Sequence, residues 1–253
     1  MLPRFTRWQG IALCVAALVS TVWLAVTNQL ILYIHPRYIV FTVIMTVLGL
    51  VLVVASFGRS PDREHDQEHG EPTPRGYRRA ITVAGTVLTL VVAIALVIVP
   101  PATLTTATAD QRVINSTQVG SGTKTVDSAA SAPAGAFARF TVLDWSSLLR
   151  QTTDASFYRD KAANVVGFIT KDADDPQNVF YVSRFVITCC AVDAQPVGVP
   201  VFLPNWQNRF AADHWVKVSG SFESNPSTKS QQSIALVPTA TTKVDQPSEP
   251  YLY

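Results

Sequence analysis

Charged side chains are scarce in this chain: Asp, Glu, Lys and Arg make up 15% of its 253 residues, against roughly 25% in soluble domains. The net charge of +2 is too small to hold a polyanion, which argues against nucleic acid as a partner. Histidine is rarer still, with four in all and only His214 beyond residue 103. One histidine cannot supply the base and orienting partner that a catalytic nucleophile needs, so the chain is expected not to be an enzyme. Only three cysteines occur. Cys14 lies in an apolar N-terminal run, and the other two, Cys189 and Cys190, are adjacent.

The charge deficit is uneven. Residues 103–253 carry twelve Lys/Arg and thirteen Asp/Glu, the balance of an ordinary soluble domain, while the long apolar runs lie before residue 109. Three runs lack charge: Trp8–Val26 with nineteen residues, Tyr38–Phe57 with twenty, and Ala80–Val99 with twenty, the last closed by Pro100-Pro101. As helix, about 20 apolar residues cross a hydrocarbon core of about 30 Å. A backbone in lipid must satisfy its own hydrogen bonds, which favours helix even where Val and Ile abound. The runs therefore predict three transmembrane helices, near 8–27, 38–57 and 80–99, within a membrane region spanning 1–101. The first could act as a signal peptide, but its core is long and no small-x-small cleavage site closes it.

Arg4 and Arg7 precede the first run, and Arg59, Arg63, Arg75, Arg78 and Arg79 fall between the second and third. The positive-inside rule assigns the N-terminus and the 58–79 loop to the cytoplasm. Three crossings then leave the rest of a multi-pass membrane protein extracytoplasmic. The loop also holds His65 and His69, but its mixed charge and prolines suit a solvated, disordered segment. Between the first two runs lies YIHPRY, residues 33–38. His35 and Arg37 sit there between two tyrosines suited to the headgroup layer, either as interfacial anchors or as part of a transport path.

Residues 102–136 are rich in Thr, Ser, Ala and Gly and lack aromatic residues, which predicts a flexible tether. Asn115-Ser116-Thr117 forms a weak glycosylation sequon. Beyond Phe137, Trp145–Arg150 has helical spacing with Asp144 as N-cap. Five strands are expected at Asn164–Thr170, Val179–Ile187, Val197–Phe202, Trp215–Phe222 and Ser233–Val237, with a short helical stretch near 205–213. In WVKVSGSF, Val216, Val218 and Phe222 share one face while Lys217, Ser219 and Ser221 share the other. Gly167 and Gly220 suggest bulges or tight bends. The expected domain is a small antiparallel β-barrel, OB-like, over residues 137–240, followed by a tail at 241–253.

The chemistry concentrates in Phe185–Asp193, FVITCCAVD. Thiolates bind Zn²⁺ and Cu(I), and a carboxylate can complete a zinc site. Cys189, Cys190, Asp193 and His214 are therefore candidate ligands for a zinc or copper ion. Adjacent residues of an extended strand point to opposite faces, so both sulfurs reach one ion only if the backbone turns there. Two other readings stand beside this one. The pair could form a strained vicinal disulfide under oxidising conditions, or it could pack as two small hydrophobes.

YIHPRY at 33–38, PPATL at 100–104, VGF at 166–168, YVSRFVITCCAVDAQPVGV at 181–199 and WVKVSG at 215–220 resemble the YcgQ-like family. Its bacterial members are described as the small subunit of a two-component membrane permease. Arg184–Pro196 is the most specific part of the likeness, which adds Arg184 to the candidate residues. The resemblance implies a larger polytopic partner of the YcgR/YraQ permease type. With the lipid bilayer as its other partner, the chain is expected to be a non-catalytic permease subunit whose outer β domain gates or hands over substrate, a metal ion among the candidates. The alternative is a stand-alone extracytoplasmic metal or redox sensor built on Cys189 and Cys190.

Overall fold

The computed structural model describes residues 2–57, 75–99, 101–116 and 124–253. They divide into two units, Met1–Ala102 and Thr103–Tyr253. The 58–79 loop up to residue 74, with His65 and His69, lies outside the described residues.

The first unit is helical: α1 (Leu2–Val26), α2 (Ile39–Phe57) and α3 (Arg75–Ile98), with α1 packed against both others. Gly49 of α2 meets the Leu18 side chain of α1, and the Ser20 hydroxyl of α1 donates to the Leu96 carbonyl of α3 at 2.9 Å. Small residues and cross-helix hydroxyl bonds are the means by which helices associate where burial of apolar surface drives nothing. The expectation of three transmembrane helices is overturned. Among the described residues, one helix is long and apolar enough to cross a membrane, Pro36–Ser56, with a mean hydropathy of 2.8. Among the described residues, the shorter apolar stretches are Gly10–Val26 in α1 and Val83–Leu96 in α3, each below 18 residues.

The second unit centres on six strands: β1 (Ala162–Lys171), β2 (Val179–Val186), β3 (Gln195–Phe202), β4 (Trp215–Ser224), β5 (Ile234–Lys243) and β6 (Tyr251–Leu252). Their order is β1-β4-β5-β3-β2-β6, and β1 also pairs with β2. The sheet is mixed, which corrects the expected five-stranded antiparallel OB-like barrel: β3–β5 and β2–β6 are parallel. The sixth strand comes from the expected C-terminal tail. Two residues cannot show alternation, so nothing in the sequence marked it. The expected helical stretch near 205–213 reduces to a single 3₁₀ turn, Trp206–Asn208.

Gly220 marks the expected bulge, whereas β1 stays in register through Gly167, which answers a close backbone approach instead. A side chain at Gly167 would collide with the Ser183 carbonyl of β2, and Gly220 sits at the register shift where β4 passes the Val237 carbonyl. The helix α4 (Val142–Gln151) begins one turn earlier than expected, with Thr141 as its cap. Asp144 instead occupies the third helical position and accepts from the Thr141 backbone N–H at 2.8 Å, completing a capping box. Its Trp145 is fully buried among Phe137, Phe140 and Phe222, with ring centroids 6.0, 5.2 and 4.8 Å away.

Much of the stretch expected to be a tether belongs to this unit. The Leu104 N–H donates to the Tyr251 hydroxyl at 2.9 Å, and the Thr106 N–H donates to Asp213 Oδ1 at 2.7 Å. The Asn115 side chain donates to the Gly198 carbonyl and accepts from its N–H, both at 2.9 Å, as a strand residue would. These polar contacts replace the missing apolar burial, which is why composition did not reveal them. They also commit the Asn115 amide that the sequon would need.

Trp145 Nε1 is buried without a hydrogen-bond partner among the described residues. Trp145→Ala should cost about 3–5 kcal/mol and lower the melting temperature by several degrees. Trp145→Phe should cost less than half as much, because it removes an unpaired donor worth about 1–3 kcal/mol. Thermal melting of the purified chain, followed by near-UV circular dichroism, checks both, and equal losses would contradict the packing described.

Candidate metal-binding loop

The strands β2 and β3 form an antiparallel hairpin whose last pair is Val186↔Gln195. Beyond Val186, the Ile187 N–H donates to the Leu252 carbonyl at 2.9 Å and its side chain is buried, so β6 fixes the point where the chain leaves the sheet. The backbone bends at Thr188 and Cys189, then makes a 3₁₀ turn over Ala191–Asp193 before buried Ala194 leads into β3. This is the turn that two adjacent cysteines require to serve one ion.

A carboxylate organises the bend. Asp193 Oδ2 accepts from the Cys189 N–H at 2.7 Å and the Cys190 N–H at 3.4 Å, while Oδ1 accepts from the Thr188 N–H at 3.1 Å. In return, the Cys190 sulfur accepts from the Asp193 N–H. One ligand atom from each of Cys189, Cys190 and Asp193 lies within 4.8 Å of the others. Both cysteines are thiols, Cys189 exposed and Cys190 half-buried. The expected packing role for the pair therefore finds no support in burial.

His214 is not among these ligand atoms. It sits in the turn before β4, where its Nδ1 accepts from the Ala211 N–H at 3.1 Å and its carbonyl accepts from Ile169. Arg184 is structural in its contacts: Nε donates to the Pro250 carbonyl at 2.8 Å, Nη2 to those of Glu249 at 2.6 Å and Tyr251 at 3.3 Å, and the guanidinium lies 5.3 Å from the Trp215 ring centre. It thus holds β6, which in turn fixes Ile187. Burial pulls its pKa down to about 10, opposed by Tyr253 and Glu249. His35 and Arg37 belong to the helical unit, where His35 Nδ1 accepts from the Arg37 N–H at 3.1 Å and Arg37 lies 5.1 Å from the Tyr38 ring centre.

Sequence reasoning missed Arg112. Its Nη2 donates to the Val192 carbonyl in the loop at 3.1 Å, and its Nη1 is buried without a partner among the described residues. Its one available signal was being the sole basic residue between 102 and 120. The buried carboxylates Asp172 and Asp175 look like a second site, but they serve their own turn. Asp172 accepts from the Asp174 and Asp175 N–H groups and Ser230, and Asp175 from Asn178 and Ser227.

A helical unit joined to a sheet domain with a surface thiol–carboxylate loop makes this a two-part protein, and each part is matched by a family model. The DUF1980 N-terminal domain covers residues 9–115 and the DUF1980 C-terminal domain covers residues 141–253. The chain belongs to the DUF1980 family. No curated protein matches it.

Asp193→Ala would leave three backbone N–H groups without their acceptor. A loop weakened by about 1.4 kcal/mol opens tenfold more often, so the half-buried Cys190 should react with an aromatic disulfide reagent at least about tenfold faster. Far-UV circular dichroism should be unchanged. An unaltered rate would show that the carboxylate does not hold the loop.

Proposed function

We propose that the protein is a non-catalytic subunit of a bacterial membrane permease complex, similar to the YcgQ-like family, and that its sheet domain receives or hands over a metal ion. The observation that carries this reading is the Cys189–Cys190–Asp193 group, two sulfurs and a carboxylate within 4.8 Å at an accessible loop. Thiolates suit soft ions, and an exposed site with few ligands suits transfer better than permanent storage.

Support for a membrane setting comes from the helical unit. Beyond the Pro36–Ser56 helix, large apolar side chains are exposed on all three helices, among them Trp23, Phe41, Leu52 and Leu88. Exposed apolar surface on that scale needs lipid or partner helices to cover it. A polytopic partner of the YcgR/YraQ type would supply such helices, and the bilayer would cover the rest. The sheet domain lies on the extracytoplasmic side in this proposal, as suits the single basic residue, Arg112, between 102 and 120.

Co-expression with a neighbouring multi-span permease gene and purification in mild detergent test the assembly. The permease should co-elute with this chain in a fixed ratio. Its complete loss under conditions that preserve folding would remove the subunit reading and leave the stand-alone sensor. A reporter fused after Tyr253 should be active only outside the cytoplasm, and cytoplasmic activity would overturn the orientation.

A further inference from the structure

The geometry points to Cu(I), held by the Cys189 and Cys190 thiolates alone, as the ion that this loop takes, with Asp193 as a positioning residue and not a ligand. The inference rests on the metal-handling role proposed above and narrows it to one class of ion. A carboxylate has about four lone-pair sites. Three backbone N–H groups already occupy Asp193, two of them on the oxygen nearest the cysteines' own backbone. A metal on Oδ2 would compete with the two bonds that place the sulfurs, and Oδ1, with one lone pair left, is turned toward the Thr188 N–H at 3.1 Å. The carboxylate is thus committed first to shaping the loop.

That leaves two sulfurs. Zn²⁺ in a structural site takes four protein ligands, and in a catalytic site three. Among the described residues no further His, Cys, Asp or Glu joins this group, and His214 is engaged in its own turn. Cu(I) favours soft thiolates, has a filled d shell that imposes little geometric demand, and accepts two of them in a near-linear arrangement. At a metal–sulfur length of about 2.3 Å, two thiolates on one ion stand at most about 4.6 Å apart. The separation of ligand atoms here, within 4.8 Å, needs little adjustment to meet that.

The charges also agree. Binding converts two thiols to thiolates and releases two protons to solvent as two S–Cu bonds form, leaving a complex of net charge −1. No electron is transferred. Arg112 brings the compensating positive charge to the same loop through its bond to the Val192 carbonyl, and its Nη1 is a buried donor with no partner among the described residues.

The test uses the full chain in mild detergent, kept anaerobic with a non-thiol reductant. Cu(I) is supplied in competition with a chromophoric Cu(I) chelator, and Zn²⁺ is tried separately. One Cu(I) per chain should bind with proton release, and Cys189→Ser or Cys190→Ser should each abolish it. X-ray absorption should show a first shell of two sulfurs and no oxygen or nitrogen. Asp193→Asn should weaken binding by about 10- to 100-fold, the usual cost of losing a supporting group, while leaving that sulfur-only shell unchanged. An oxygen in the shell, or Zn²⁺ retained stoichiometrically through gel filtration, would overturn the Cu(I) assignment and leave a metal-handling loop in place. Failure of both ions to bind would remove the metal role itself, and this inference with it.

Discussion

Everything chemical in this protein depends on one carboxylate that accepts from three consecutive backbone N–H groups. Thr188, Cys189 and Cys190 leave the sheet where no strand partner can take their donors, and Asp193 takes them. Bonds to an ionised acceptor are stronger than neutral ones, and here three consecutive donors converge on a single carboxylate. Without the carboxylate, the extended path of β2 would continue and send the two cysteine side chains to opposite faces. With it, the chain bends and the sulfurs come together.

The sheet supplies the fixed ends that such a bend needs. The hairpin register of β2 and β3 sets where the loop begins and ends. On the outer edge, Arg184 grips the carbonyls of Glu249, Pro250 and Tyr251, so the two residues of β6 stay paired with Phe185 and Val186. A two-residue strand has little stability of its own, and the guanidinium compensates for that. Asn115 on β3 and Arg112 on the loop tie the segment before the domain to the same corner. The most specific stretch of the sequence is therefore a loop, its two flanking strands and the groups that clamp them, a scaffold for two thiols.

Some of this was legible and some was not, for physical reasons. The strands β1 to β4 could be placed because their burial alternates or runs continuous, as the valines and phenylalanines of WVKVSGSF and VFYVSRFV show. The thiol–carboxylate spacing was legible because all three residues lie within five positions. The parallel pairings of β3 with β5 and of β2 with β6 were not, since they join segments distant in sequence and depend on side-chain clamps that no periodicity encodes. The number of membrane spans was overstated: among the described residues only Pro36–Ser56 is long and apolar enough to cross a membrane, and the apolar stretches of α1 and α3 are Gly10–Val26 and Val83–Leu96. His214 was grouped with the cysteines by chemistry alone, and the fold engages it elsewhere.

The central claim, that the Asp193 carboxylate holds the bend on which the thiol pair depends, is most directly tested by amide hydrogen exchange. The N–H groups of Thr188, Cys189 and Cys190 lie in an accessible loop, yet each has a carboxylate partner. The Cys189 amide in particular, with its 2.7 Å bond, should exchange much more slowly than that of exposed Val192, and Asp193→Ala should remove that protection while leaving β2 and β3 protected. Exchange at Cys189 as fast as at Val192 in the unaltered protein would contradict the account.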